Sequence, residues 1–145
     1  YRKHFDSLDN ETNLSYYITA NHVLDCQIGD YLSKQNVVCD RYYFTTIAYH
    51  SAKLERNIDY LLKEMKTTPN KIYYLTGEVT VLNARAEKTG LKNDRFHGID
   101  LWKKVEFNYN KLFKRFSNVV KIDTTNKTEE EVLQIVLNDL KRGKK

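Results

Sequence analysis

Apolar residues recur at intervals of three and four along much of the chain. Leu14, Ile18, Leu24, Ile28 and Leu32, with Asn21 among them, share one face of a helix predicted over about residues 12–34. Leu54, Ile58, Leu61 and Met65 predict a second helix over 52–66, broken by Pro69 and its polar neighbours. Residues 78–88 read as a third. Trp102, Val105, Tyr109, Leu112 and Phe116 predict an amphipathic helix over 99–116. Thr128-Glu-Glu-Glu131 is a capping box that opens a last helix running through Leu140. Three short apolar runs fall between these helices: Asn36-Val-Val-Cys39, Ile72-Tyr-Tyr-Leu75 and Val119-Val-Lys-Ile122. Such runs suit buried parallel strands.

Alternating helix and strand predict one α/β domain over residues 1–145 with a mainly parallel sheet. Ligands of such sheets bind at the C-terminal ends of the strands. That rule directs attention to Asp40-Arg41-Tyr42, Thr76-Gly77 and Asp123-Thr124-Thr125.

Charge narrows the partner. A net charge of +5 and a pI near 9.1 favour an anion, whether nucleic acid, membrane surface or phosphorylated small molecule. The 11 tyrosines fall mostly at core-like positions rather than interleaved with Lys and Arg, which argues against a base-stacking platform for nucleic acid. No apolar run is long enough to span a membrane. Cys26 and Cys39 lack the spacing of a metal site and accompany no secretory signal. Two such thiols point to a reducing compartment, cytoplasmic or mitochondrial. The opening from Tyr1 reads like the middle of a protein rather than a natural start.

Three clusters carry candidate chemistry. Asp40-Arg41-Tyr42 directly follows a predicted strand and continues to Thr45, Thr46, Ala48 and Tyr49. An arginine there offers a fixed fork of donors to phosphate oxygens, and the aspartate could orient a magnesium-bound water or hold the arginine. A structural Asp–Arg pair is the plain alternative for the tripeptide alone. Arg85 is followed ten residues later by Arg95, with a polar, glycine-containing segment between them and a lid placed at about 88–98. As a lid, that segment could bring both guanidinium groups onto a polyphosphate; otherwise it is an exposed loop with solvated cations. Ile18, Asn21 and His22 share a helix face that could read a base edge, or be a solvated turn. A phosphate-cradling G-x-x-x-x-G-K-[ST] loop does not occur at the spacings of Gly29, Gly77, Gly90, Gly98 and Gly143.

Taken in order, these segments resemble the thymidylate kinase family. The likeness runs through Ile18-Thr-Ala-Asn21-His22, Val37-Val-Cys-Asp40-Arg41-Tyr42, Thr45-Thr-Ile-Ala-Tyr49, Ala84-Arg85, Asp94-Arg95-Phe96 and Val119-Val-Lys-Ile-Asp123. The opening Tyr1-Arg-Lys-His-Phe-Asp6 is similar to the mitochondrial UMP-CMP kinase 2 branch of the same superfamily. The resemblance implies a three-layer P-loop kinase fold. It also implies a preceding strand, phosphate loop and helix, absent from these residues, without which the fragment is expected to be inactive. The activity implied is ATP- and Mg2+-dependent phosphorylation of a pyrimidine nucleoside monophosphate by a homodimer. A deoxynucleoside kinase or an inactive nucleotide-binding relative is the alternative.

By resemblance, Arg41 grips the acceptor phosphate, Asp40 organises magnesium and its water, and Arg95 reaches the transferring phosphoryl group. Tyr42, Thr45, Thr46, Tyr49 and Phe96 line the monophosphate pocket, while Arg85, Thr124 and Thr125 lie at the adenine. Two departures mark the base-reading segment. Ile18 stands where the family stacks an aromatic ring, and Tyr17 is turned about 100° away around the helix. His22 stands where the family has an arginine, and neutral imidazole presents either a donor or an acceptor. Relaxed pyrimidine choice is the expectation.

Overall fold

The computed structural model describes residues 4–5, 7–88 and 98–142. The chain divides into two compact units, one of Tyr1–Pro69 with Asp100–Arg115, the other of Asn70–Ile99 with Phe116–Lys145.

In the first unit, α1 (Asn10–Leu32) starts at Asp9, whose carboxylate accepts from the backbone N–H groups of Glu11 and Thr12, each at 3.0 Å. Those bonds, from Thr12 above all, hold the Asp9 carboxyl below its ordinary range. The face that α1 buries is more polar than the apolar spacing predicts: Asn13, Leu14, Asn21, Asp25 and Ile28. The polar members meet α2 (Tyr43–Leu54). Asn13 Oδ1 lies 2.9 Å from His50 Nε2, and Asn21 Nδ2 donates to Thr46 Oγ1 at 2.9 Å. Asp25 accepts from the hydroxyl of Tyr42, the residue that caps α2. Going along α1 from Asn13 to Asn21 to Asp25, the partners run backwards from His50 to Thr46 to Tyr42. Buried polar groups persist only when paired, so each rung needs both its members.

Two sequence expectations change here. Asn36–Cys39 is not a strand: Val38 is 96% exposed and Cys39 is exposed. A strand is held by its neighbours' backbone groups, and none pairs with this run among the described residues. The single helix expected over 52–66 is instead two pieces. α2 ends where Glu55 takes a left-handed conformation, φ 51°, and a 3-10 helix follows at Asp59–Glu64. The Asn57 side chain starts that second piece by accepting from the Asp59 N–H at 2.8 Å. Ile58 and Leu61 are buried all the same. Their spacing reported burial correctly and helix continuity wrongly.

Against α2 packs α4 (Ile99–Phe113), which buries Val105 and Leu112 as its pattern predicts. Val105 meets Ala48 and Ala52, Phe113 meets Phe44 edge-on at 5.4 Å, and Asn108 Nδ2 donates to the Ala48 carbonyl at 3.0 Å.

In the second unit, β1 (Ile72–Thr76) and β2 (Val119–Asp123) pair in parallel, with Ile72 opposite Val119 and Thr76 opposite Asp123. α3 (Val79–Lys88) and α5 (Glu129–Arg142) complete it. The predicted capping box forms: the Thr128 N–H donates to the Glu131 carboxylate at 2.7 Å, and the Glu131 N–H to Thr128 Oγ1 at 3.2 Å.

Tyr73 of β1 donates to Asp139 of α5 at 2.7 Å, and Lys71 pairs with the same carboxylate at 2.9 Å. Burial first, then the bond to Asp139 and its charge, pushes the Tyr73 hydroxyl up to about 12. A raised acid keeps its proton longer in the folded state, so this contribution is whole below about pH 10 and lost between there and 12. Over that interval the wild type is expected to lose urea stability more steeply than Tyr73→Phe. Parallel pH profiles for the two would rule out the linkage.

Candidate functional site

In the first unit the candidate residues gather where α1 passes the start of α2. Arg41 sits just before α2 with φ 70°, a left-handed conformation that costs a residue with a Cβ. Its side chain and that of Asp40 are exposed. The Cys39 thiol, pushed up by partial desolvation and then by the charge of Asp40, donates to the Arg41 carbonyl at 2.9 Å.

Tyr42 is buried, and its hydroxyl is engaged by Asp25 and lies 3.2 Å from the Thr67 carbonyl. Burial first and then Asp25 push its pKa up, well above the usual phenol range. Thr45 and Tyr49 are half-buried on α2, and Thr46 is buried beneath Asn21. Tyr109 of α4 donates to Thr45 Oγ1 at 2.8 Å. That leaves the Thr45 hydroxyl hydrogen available to another acceptor.

On α1, Ile18 and His22 are half-buried and Asn21 is buried. His22 Nδ1 lies 3.3 Å from the Tyr43 hydroxyl, which is itself 3.3 Å from the Glu64 carbonyl. Burial and then the charge of Asp25 push that hydroxyl up to about 12, so it remains a protonated donor at physiological pH.

In the second unit, the C-terminal ends of β1 and β2 are tied together. The Thr124 N–H and Oγ1 both donate to the Thr76 carbonyl, at 2.8 and 2.9 Å. The Glu78 N–H donates to Thr125 Oγ1 at 2.9 Å, and Thr125 Oγ1 donates to Asp123 at 2.6 Å. Those Thr125 bonds hold the Asp123 carboxyl below its usual range. Gly77 sits close under this turn: a Cβ there would come within 3.3 Å of the Leu82 side chain and 3.4 Å of both Thr124 Oγ1 and Thr125 Oγ1. Arg85 of α3 reaches the same turn, donating to the Thr124 carbonyl at 3.0 Å and the Thr125 carbonyl at 3.1 Å. Arg85 is exposed, and a guanidinium can stack through its flat faces.

Arg41, Asp40, Thr45, Thr46 and Tyr49 thus share the first unit with Ile18, Asn21 and His22. Arg85, Thr124 and Thr125 meet in the second. Arg95 and Phe96 lie outside the described residues. Apolar spacing placed Tyr109 on the buried face of its helix without marking its bond to Thr45, and it gave no sign of Asp25. The recurrence of Asn13, Tyr17, Asn21 and Asp25 every four residues was the available signal.

Among the described residues no group of three or more His, Cys, Asp or Glu side chains could hold a metal ion, and no helix is long and apolar enough to cross a membrane. The thymidylate kinase family model matches residues 4–135. A curated protein of Methanocaldococcus jannaschii, named "Probable thymidylate kinase", is 31% identical over 136 residues, which cover 92% of this chain and 69% of that protein. No solved structure matches.

Proposed function

The chain belongs to the thymidylate kinase family, and on that premise we propose that it serves ATP-dependent phosphorylation of a pyrimidine nucleoside monophosphate to the diphosphate. The acceptor we favour is dTMP, with dUMP, CMP and UMP as further substrates. The observation that carries this reading is Arg41, held in a left-handed conformation at the head of α2 with its guanidinium exposed. Backbone strain kept beside a run of hydroxyl-bearing residues is a mark of a binding site.

The chemistry follows from those groups. An oxygen of the acceptor's phosphate attacks the γ-phosphorus of ATP, and the bond to the β-phosphate oxygen breaks to release ADP. Two anions must approach each other, so neutralising charge is most of the task. Arg41 offers a bidentate fork to the acceptor phosphate, and the free hydrogen of Thr45 adds a donor. The Asp40 carboxylate, exposed and without a hydrogen-bond partner among the described residues, is the hard oxygen donor that a hydrated magnesium ion requires. When bound, that ion neutralises charge on the ATP phosphates. The flat faces of Arg85 suit an adenine ring. These 145 residues hold no phosphate-cradling glycine loop, and activity is proposed to need one from outside them.

Base choice rests on His22. The Tyr43 hydroxyl has one hydrogen, with His22 Nδ1 and the Glu64 carbonyl each at 3.3 Å and the Asp25 carboxylate as a further acceptor. If it donates to Glu64 or Asp25, His22 Nδ1–H donates to it and Nε2 becomes an acceptor, suited to cytosine's amino group. If it donates to His22, Nε2 carries the proton and suits the carbonyl of uracil or thymine. Neither tautomer is fixed. With ATP and Mg2+ on the full-length protein, kcat/KM for dTMP, dUMP, CMP and UMP is expected to span less than about a hundredfold, the discrimination of one well-used hydrogen bond. A wider preference for dTMP would reject relaxed choice. No turnover of any monophosphate, with thymidine phosphorylated instead, would reject the acceptor assignment.

A further inference from the structure

We propose that the first unit carries a second anion site, built for a free nucleotide, in the cavity between the C-terminal end of α2 and α4. The cavity measures about 510 Å3, within the roughly 300–1,000 Å3 of small-molecule sites. Thr45 lies at the start of α2 and Glu55 at its end, ten residues and about 15 Å along the helix. The cavity is therefore distinct from the residues assigned to the acceptor.

Its charge is the first reason. Arg56, Lys103, Lys104 and Lys111 line it, against Glu55 and Asp59. Both carboxylates are already taken, Glu55 by Lys104 at 2.5 Å and Asp59 by Arg115 at 3.7 Å. Arg56 pairs with Glu11 at 2.8 Å. Among the described residues Lys103 and Lys111 have no carboxylate within 4 Å. The cavity therefore presents two uncompensated ammonium groups, one turn to either side of Phe107.

Phe107 is the second reason. It is 68% exposed, on a helix whose Val105 and Leu112 are buried on another face. A phenyl ring held in water between two lysines binds an anion that also has a flat apolar surface. An aromatic base stacked on Phe107, with phosphates on Lys103 and Lys111, meets that description. Inorganic phosphate would leave the ring unused.

Ser51 is the third. It lines the same cavity, is only 9% exposed, and its Oγ has no hydrogen-bond partner among the described residues. A buried hydroxyl left unpaired is costly, and a ligand oxygen would satisfy it. The Oδ1 of Asn108, whose Nδ2 is occupied by the Ala48 carbonyl, adds an acceptor at the rim.

Isothermal titration with ATP as the probe tests this on wild type, Arg41→Gly, Phe107→Ala and the double variant Lys103→Glu/Lys111→Glu. All the altered side chains are exposed, and thermal melting checks each fold. ATP binding should survive Arg41→Gly, weaken at least tenfold in the double variant, and weaken several-fold in Phe107→Ala. Inorganic triphosphate binding should fall in the double variant and stay unchanged in Phe107→Ala. Equal ATP affinity in wild type and double variant would overturn the site. Triphosphate binding that tracks Phe107 would overturn the stacking. A 12-mer oligonucleotide bound far more tightly than ATP, and lost in the double variant, would overturn the free nucleotide in favour of a single strand. Because Arg41→Gly removes the acceptor contact alone, failure here is separable from failure of the kinase reading.

Discussion

Exchanging Arg41 for glycine is expected to weaken dTMP binding about a thousandfold while leaving the fold as stable as before or slightly more so. The two effects have separate sources. A left-handed conformation costs an L-residue roughly 1–2 kcal/mol, and at φ 70° Arg41 bears that cost. Glycine does not, although its freer unfolded chain returns about 0.5–1 kcal/mol of the gain. The guanidinium is exposed and has no partner among the described residues, so no native contact is lost with it. Binding is another matter. A bidentate fork on phosphate makes two charge-assisted bonds of about 1.5–3 kcal/mol each. Their loss corresponds to roughly two to four powers of ten. Titration calorimetry with dTMP and thermal melting give both readouts. Arg41→Ala separates them further, since it should bind as poorly as the glycine variant yet be less stable than it. If Arg41→Gly bound dTMP within tenfold of wild type, the guanidinium would not be the acceptor's anchor.

Asp25→Leu should cost about 3–5 kcal/mol of folding stability, the largest effect expected from any single change in the first unit. Asp25 is 3% exposed and accepts from three donors: the Tyr42 hydroxyl and the backbone N–H groups of Lys66 and Thr67, the latter two at 3.2 Å. Leucine leaves the two part-buried backbone N–H groups without an acceptor and the Tyr42 hydroxyl with only the Thr67 carbonyl, and each orphaned group costs about 1–3 kcal/mol. Typical domains have only about 5–15 kcal/mol to lose. Asp25→Asn keeps one carbonyl oxygen and should cost markedly less. Urea unfolding of Asp25→Leu, Tyr42→Phe and the double variant then forms a cycle. The double variant should be more stable than the sum of the single losses implies, because removing both partners leaves fewer orphans. Strict additivity would mean that Tyr42 and Asp25 act independently.

How much was legible in the sequence depended on what held each element. α4 read well because it buries Val105 and Leu112 on one face, and α5 because the Thr128–Glu131 box that opens it is a local signal that needs no tertiary context. β1 and β2 read well because apolar runs bounded by polar residues did pair. The run Val37-Val38-Cys39 has the same composition, yet composition reports the capacity to be buried, not the presence of a neighbour. Residues 52–66 misled because Ile58 and Leu61 are buried across a break at Glu55, a residue whose left-handed conformation no spacing rule announces. The strand-end rule pointed to Thr124 and Thr125, whose turn Arg85 of α3 reaches. The candidate site was invisible where support comes through a second side chain, as with Tyr109 behind Thr45.

The pairing of α1 with α2 carries one more consequence. Two helices joined by greasy side chains alone can slip past each other by a turn, about 5.4 Å, and still find similar packing. Here Asn13 fits His50, Asn21 fits Thr46 and Asp25 fits Tyr42, and any slip would strand all three couples at once. The contacts act as the teeth of a key, accepting one alignment and refusing its neighbours. Whatever Ile18 and His22 touch on one helix is thereby set at a fixed offset from whatever Thr45 touches on the other, before any ligand arrives.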